Sequence, residues 1–191
     1  RVAAMLLLTL RGTPTIYYGE EIGMTDVDIP IEEQLDPFGL RVPGWGRDRC
    51  RTPMQWSAHH KAGFAPEGSE KLWLPLGEKW QQINVQQQMD DSRSHLNFYR
   101  QLLALRKATP SLQSGSYQPV ENTPEGSFVY QRLGAGQTIT VALNFTGNPL
   151  SLHLKGRGQI LLSTHLDRDG LEDLSALTLR ENEGIIIRQS S

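Results

Sequence analysis

Residues 20 to 91 show neither the 3.6-residue period of an amphipathic helix nor the two-residue alternation of a half-buried strand. Yet all four tryptophans of the chain, Trp45, Trp56, Trp73 and Trp80, lie within them. A connection of roughly 70 residues is far longer than the about 2 to 6 that usually join a strand to a helix, and excursions of that length are mostly functional or disordered. Disorder is a poor reading, because disordered segments are poor in aromatic side chains. The stretch is therefore expected to be an ordered loop with a task.

Its flanks set where such a loop would sit. VAAMLLLTL, residues 2 to 10, is too short to span a bilayer and ends in Arg11, Gly12 and Pro14, which predicts a buried helix. GTPTIYYG, residues 12 to 19, turns to β-branched and aromatic residues and reads as a short loop and a buried strand. SRSHLNFYRQLLALRK, residues 92 to 107, predicts a helix with Leu96, Tyr99, Leu103 and Arg106 on one stripe and Phe98, Leu102 and Leu105 beside it. Asp91 or Ser92 can cap its start, Arg106 and Lys107 suit its negative end, and Pro110 stops it. Helix, strand and helix in this order belong to an α/β layer with a parallel sheet. A loop that follows a strand of a (β/α)8 TIM barrel rises from the C-terminal face, where active sites of that fold are built. RTPMQW, residues 51 to 56, is thus a candidate site element.

After Pro110 the pattern changes. SLQSGS, residues 111 to 116, reads as a polar linker, and strand-like segments follow at 127 to 133, 137 to 145, 159 to 163, 175 to 179 and 184 to 189. QTITVALNF alternates strictly, placing Ile139, Val141, Leu143 and Phe145 on one face and Thr138, Thr140, Ala142 and Asn144 on the other, so one face is expected to be buried. GAG, GNP, DRDG and ENEG supply the turns of a small antiparallel sandwich. The expected organisation is α/β followed by all-β. Residues 1 to 110 form the end of a barrel with its long loop at 20 to 91, and residues 111 to 191 form a β-sandwich.

A formal net charge of -2 with scattered basic residues gives no electrostatic footprint for nucleic acid. A single cysteine, Cys50, precludes an internal disulfide and leaves the compartment open, with the cytoplasm as the working expectation. No cofactor, metal or membrane is called for. The chain starts at Arg1 in mid-pattern, without an initiator Met or a helix cap, and is expected to be the C-terminal part of something longer, with the rest of its barrel as its partner.

These residues resemble one family. GTPTIYYGEEIGM, residues 12 to 24, is similar to the last barrel strand of the α-amylase family of glycoside hydrolases (family 13). RDRCRTPMQW, residues 47 to 56, resembles the loop after it in the α-glucosidase branch, which includes oligo-1,6-glucosidases, sucrose isomerases, dextran glucosidases and trehalose synthases. HLNFYRQLLALRK, residues 95 to 107, resembles that branch's last barrel helix, and LLSTHLDR, residues 161 to 168, a segment of its sandwich. The branch's loop carries an acidic residue, two variable ones and Arg-Thr-Pro. Asp48, Arg51, Thr52 and Pro53 match, whereas Arg49 and Cys50 stand where smaller uncharged residues are usual. The resemblance implies that Arg51 and Asp48 bind substrate, Arg51 holding the terminal glucose of an α-linked gluco-oligosaccharide through its rigid, permanently charged fork of donors.

Other candidates have plainer readings. Glu20 and Glu21 are neighbours on an extended segment, so they point to opposite sides and cannot flank one glycosidic bond; capping or pairing roles at the barrel rim are expected. The tryptophans could stack on sugars, but packing of the long loop is the expectation. DRDG at 167 to 170 reads as a hairpin turn rather than a calcium loop, His59 and His60 as solvent-exposed, and Cys50 as a filler.

Retaining glycosidases need a nucleophilic carboxylate and a carboxylic acid about 5 to 5.5 Å apart. The family takes these, and a third essential aspartate, from earlier barrel strands, so the resemblance places all three before Arg1. The chain alone is expected to be inactive, with no catalytic residue of its own. Two alternatives stand beside hydrolysis: glucosyl transfer by an isomerase of the same family, and a non-catalytic binding or scaffold relative of the same fold. A free-standing carbohydrate-binding sandwich at 116 to 191 is disfavoured, because that region contains no tryptophan.

Overall fold

The computed structural model describes residues 1–189. Among the described residues five helices, α1 (Val2–Thr9), α2 (Pro37–Arg41), α3 (Val85–Asp90), α4 (His95–Ala108) and α5 (Pro110–Ser114), precede eight strands. These are β1 (Ser116–Pro119), β2 (Ser127–Gly134), β3 (Gln137–Asn144), β4 (Leu150–Leu152), β5 (Arg157–Ser163), β6 (Gly170–Asp173), β7 (Leu177–Leu179) and β8 (Gly184–Gln189). The described residues divide into two compact units, one of residues 1–15 with 98–189 and one of residues 16–97, the division falling after the first turn of α4.

In the first unit every strand pairing is antiparallel, with a six-stranded sheet in the order β1-β2-β3-β8-β5-β6 and a separate pair, β4 with β7. Register decides which side chains share a face. Val129 lies opposite Ala142 and Ala142 opposite Ile185. That face, with Ile160 and Ile187, packs on Leu152, Leu177 and Leu179 of the small pair and on Leu154 and Leu174. The other face carries Tyr130, Val141 and Ile186 in one row and Arg132 and Ile139 in the next, and it meets α1 and α5.

This layering overturns the expectation of a strand buried on one side. Ile139, Val141 and Leu143 are buried as expected, but so are Thr140, Ala142 and Asn144, because helices cover one face of the central strand and the β4–β7 pair covers the other. Phe145 lies past the end of β3 and is 47% exposed. The expected linker at 111 to 116 is also corrected. It forms α5, which buries Ser111 and Leu112, and then enters β1. The strand expected at 175 to 179 begins only at Leu177, after a 3-10 turn over Leu174–Ala176.

One buried cation organises the helical side. Arg132 on β2 is fully buried, and its guanidinium donates to the carbonyls of Thr9 (2.5 Å), Leu112 (3.1 Å) and Gly115 (2.9 Å). These oxygens lie at the C-terminal ends of α1 and α5, where helices leave carbonyls without intrahelical partners and carry partial negative charge. Arg106 adds bonds to the carbonyls of Leu8 (2.7 Å) and Gly12 (2.9 Å). Its place on α4 is as expected; the buried face of that helix is different, formed by Phe98, Tyr99 and Leu102 while Leu103 is 41% exposed. The cap is also displaced. Ser94 Oγ accepts from the Asn97 N–H, and Asp91 instead closes a turn with the Arg93 N–H.

The expected buried strand at 13 to 18 carries no ladder. Among the described residues no strand is assigned at 13 to 18, and Tyr17 and Tyr18 are 43% and 41% exposed. Helix α1 forms as expected. It is buried on one side through Val2, Ala4, Met5, Leu8 and Thr9, while Leu7 faces out.

Replacing Arg132 with Ala leaves three buried carbonyls without donors and opens a cavity. The expected loss is about 2 to 4 kcal/mol, read as a lowered Tm and midpoint in urea. Tyr130, buried against Thr9 Oγ1 at 2.5 Å, has its phenol pushed up to about 12, chiefly by burial. The neutral form is the one the fold favours. Its contribution is whole below the ordinary value of 10.0 and is lost as pH rises through about 12. Absorbance titration at alkaline pH should show one late tyrosine step that disappears in Tyr130→Phe.

Candidate functional site

The second unit is an ordered loop structure built on short turns and two short helices, as expected for residues 20 to 91. It starts with a tight corner. Gly19 has φ +89, a left-handed conformation that suits glycine, and an added Cβ there would lie 2.8 Å from Met24 Sδ. Glu20–Ile22 form a 3-10 turn, the Met24 N–H donates to the Gly19 carbonyl, and Ile22 is buried. Glu20 serves the corner by accepting from the Tyr17 N–H, in line with its expected capping role.

Residues 35 to 48 close into a second rigid element. Asp36 caps α2 by accepting from the Phe38 N–H and binds Arg47 through two parallel bonds of 2.8 Å, with the Arg47 N–H as a third donor. The Arg47 guanidinium holds the Asp36 carboxyl well below the usual carboxylate range. Asp48, 3% exposed, accepts from the backbone N–H groups of Leu35 (2.6 Å) and Asp36 (2.8 Å). The backbones meet where Gly39 and Gly46 cross, since a Cβ on Gly39 would lie 2.6 Å from the Gly46 Cα. Asp48 also opens the 3-10 turn Asp48–Cys50, and its carbonyl receives the Arg51 N–H.

RTPMQW follows. Thr52, Pro53, Met54 and Gln55 are buried, with Gln55 tied to the residues around α3 through its side chain to the Ile83 carbonyl and its carbonyl to the Val85 N–H. The Tyr18 phenol donates to the Thr52 carbonyl at 2.7 Å. This bond sets RTPMQW beside Tyr18, the last residue of the segment at 13 to 18. There it lines a cleft of about 330 Å³ with Tyr18, Glu21, Phe64 and Trp73. Arg51 is half-buried on this lining, and among the described residues its guanidinium makes no ion pair. Burial, ahead of the neighbouring Tyr17 and Cys50, raises the pKa of Tyr18, while Arg51 opposes the shift.

The two residues named from the sequence as substrate-binding are therefore not brought together. Arg51 lines the aromatic cleft, whereas Asp48 lines a separate hollow with Asp28, Gln34 and Arg49 and has its Oδ2 engaged by two amides. The packing expectation for the tryptophans is corrected as well. Trp45, Trp56 and Trp73 are 70%, 50% and 48% exposed, because the buried anchors of the unit are Ile22, Ile29, Met54 and Leu74 instead. Cys50 is exposed rather than a filler, and His59 and His60 face solvent as expected. Glu21 departs from the role expected of it, since it lines the cleft with Arg51 and its Oε2 is buried without a hydrogen-bond partner. Tyr18 went unnoticed in the sequence, where only its place in the YYGEE run could have marked it.

A family model described as alpha amylase, catalytic domain, matches residues 1–115. The chain belongs to the alpha-amylase family, in its α-glucosidase branch. The chain is 30% identical over 212 residues to an oligo-1,6-glucosidase of Parageobacillus thermoglucosidasius, covering 98% of this chain and 37% of that protein. A probable alpha-glucosidase of Rhizobium meliloti (strain 1021) is 40% identical over 123 residues, covering 63% and 22%. Among solved structures, the trehalulose synthase MutB from Pseudomonas mesoacidophila MX-45 superposes with a TM-score of 0.86 at 28% identity over 99% of this chain and 38% of the synthase. Mutants of MutB have been crystallised with glucose and with sucrose. The matches cover between 22% and 38% of the length of these relatives, and this family member carries the C-terminal part of their fold. Among the described residues no helix is long and apolar enough to cross a membrane.

Asp48→Ala removes the acceptor for two backbone amides and should loosen residues 35 to 50 by about 1 to 3 kcal/mol. Hydrogen exchange is expected to speed up at Leu35 and Asp36 while the amides of β3 and β8 keep wild-type rates.

Proposed function

We propose that the full-length protein carrying this chain is a retaining α-glucosidase-like glycoside hydrolase that acts on α-linked gluco-oligosaccharides. The observation that carries this reading is the placement of Arg51. Its guanidinium makes no ion pair among the described residues and shares a cleft with the faces of Trp56, Trp73 and Tyr18. Aromatic faces and a planar cluster of donors are what a sugar ring, with apolar faces and hydroxyl edges, requires. In this reading Arg51 fixes hydroxyls of the terminal glucose. Asp48 serves the site through the loop it holds, and the remainder of the barrel supplies the carboxylate pair.

The domain boundary in this proposal lies between residues 110 and 111, with the barrel's end and its loop before it and the sandwich after it. Sugar reaches the site from solvent, and no cofactor takes part. Glucosyl transfer is the second reading, favoured by the likeness to trehalulose synthase; which outcome follows depends on whether water or a second sugar reaches the glycosyl-enzyme.

The test is kcat/KM on an aryl α-glucoside. In the full-length protein Arg51→Ala is expected to lose about 2 to 4 kcal/mol of transition-state stabilisation, or roughly 30- to 1000-fold. Arg51→Lys should recover only part, since one ammonium cannot reproduce a planar two-point contact. The 191-residue chain alone should show no turnover. An Arg51→Ala enzyme as active as wild type would remove the substrate role of Arg51, and turnover by the chain alone would remove the assignment of catalysis to the rest of the barrel.

A further inference from the structure

A long, flexible side chain positions a sugar only if the backbone beneath it stays still, and two anchors bracket residue 51. Upstream, the buried carboxylate of Asp48 is fixed by the Leu35 and Asp36 amides, and the Asp48 carbonyl takes the Arg51 N–H at 2.9 Å. Downstream, the Thr52 carbonyl receives the Tyr18 phenol at 2.7 Å. Pro53 follows at once, so no N–H exists at that peptide to take part in any turn hydrogen bond. Thr52 is 1% exposed, so without the phenol its carbonyl would lose its donor in a place water scarcely reaches.

The phenol is well placed for this duty. Tyr18 precedes Gly19, whose left-handed φ of +89 sets the corner, and the corner is held by backbone bonds from Glu20 to Tyr17 and from Met24 to Gly19. Its ring also stands at 41% exposure on the lining of the cleft that Arg51 lines. A phenol is a hydrogen-bond donor across neutral pH, and burial raises the pKa of Tyr18 further.

We propose that Tyr18 is a positioning residue for Arg51. Its hydroxyl holds the Thr52 carbonyl and so fixes the backbone from which the Arg51 guanidinium reaches into the cleft. The proposal rests on the substrate role given to Arg51 above and adds to it a residue that acts without itself binding the group Arg51 holds.

The experiment is a double-mutant cycle on the full-length protein with Tyr18→Phe, Arg51→Ala and the pair, read as kcat/KM on an aryl α-glucoside together with Tm. Tyr18→Phe keeps the ring and loses only the hydroxyl, so it is expected to lower kcat/KM about 10-fold in the wild-type background and less than about 2-fold once Arg51 is Ala. Its Tm should stay within about 4 °C of wild type, the shift expected for a bond of this size in a large protein. If Arg51→Ala is crippling while the Tyr18→Phe loss is equal in both backgrounds, the positioning role falls and the role of Arg51 stands. If Arg51→Ala behaves as wild type, both fall. A Tm decrease well beyond that limit for Tyr18→Phe would make the hydroxyl a general stability element and overturn the proposal.

Discussion

The first unit depends on a positive charge that pairs with no carboxylate among the described residues. Arg132 is fully buried, and the groups that receive it are the carbonyls of Thr9, Leu112 and Gly115. Neither α1, with eight residues, nor α5, with five, is long enough to be stable as an isolated helix. Each ends on an oxygen that Arg132 claims, so sheet and helices fix one another. Burial lowers the pKa of the guanidinium, and the partial charges at the two helix ends offset what that burial costs.

In the second unit polar contacts take the place that a sheet has in the first. Its short helices and 3-10 turns bury few apolar side chains, and the loop is held by the Asp36–Arg47 pair, the Asp48 carboxylate and the Gln55 amide. A loop made in this way can leave aromatic faces uncovered, and Trp56, Phe64 and Trp73 stand on the cleft rather than beneath it. Rigidity and exposure together are what a site for a rigid, amphipathic ligand requires.

Local pattern revealed some of this and long-range geometry the rest. RTPMQW was legible because it is contiguous and matches a family loop, and the helices at 2 to 9 and 95 to 108 because their apolar spacing or run length is a local property. Alternation correctly paired Ile139, Val141 and Leu143 on one face. It could not say that the opposite face would also be covered, because that cover comes from β4 and β7, two three-residue strands too short to carry a period. The bond between Tyr18 and Thr52 joins residues 34 apart in sequence, and the pair of amides on Asp48 lies 12 and 13 residues away. Neither has a signature in spacing. The misjudged tryptophans follow from the same limit, since side-chain type says that a residue can be buried but not whether the loop's own anchors have already filled the space.

The strand order β1-β2-β3-β8-β5-β6 leaves β1 and β6 at the two margins of the large sheet. Each is only four residues long; one ends in Pro119, which lacks an N–H, and the other carries Glu172 and Asp173. A foreign strand that tried to extend the sheet would find a missing donor on one side and, on the other, the Arg168–Glu172 ion pair beside the Asp173 carboxylate. The sandwich therefore discourages edge-to-edge aggregation at both ends while its central strands, β3 and β8, are among the most deeply buried stretches of the described residues.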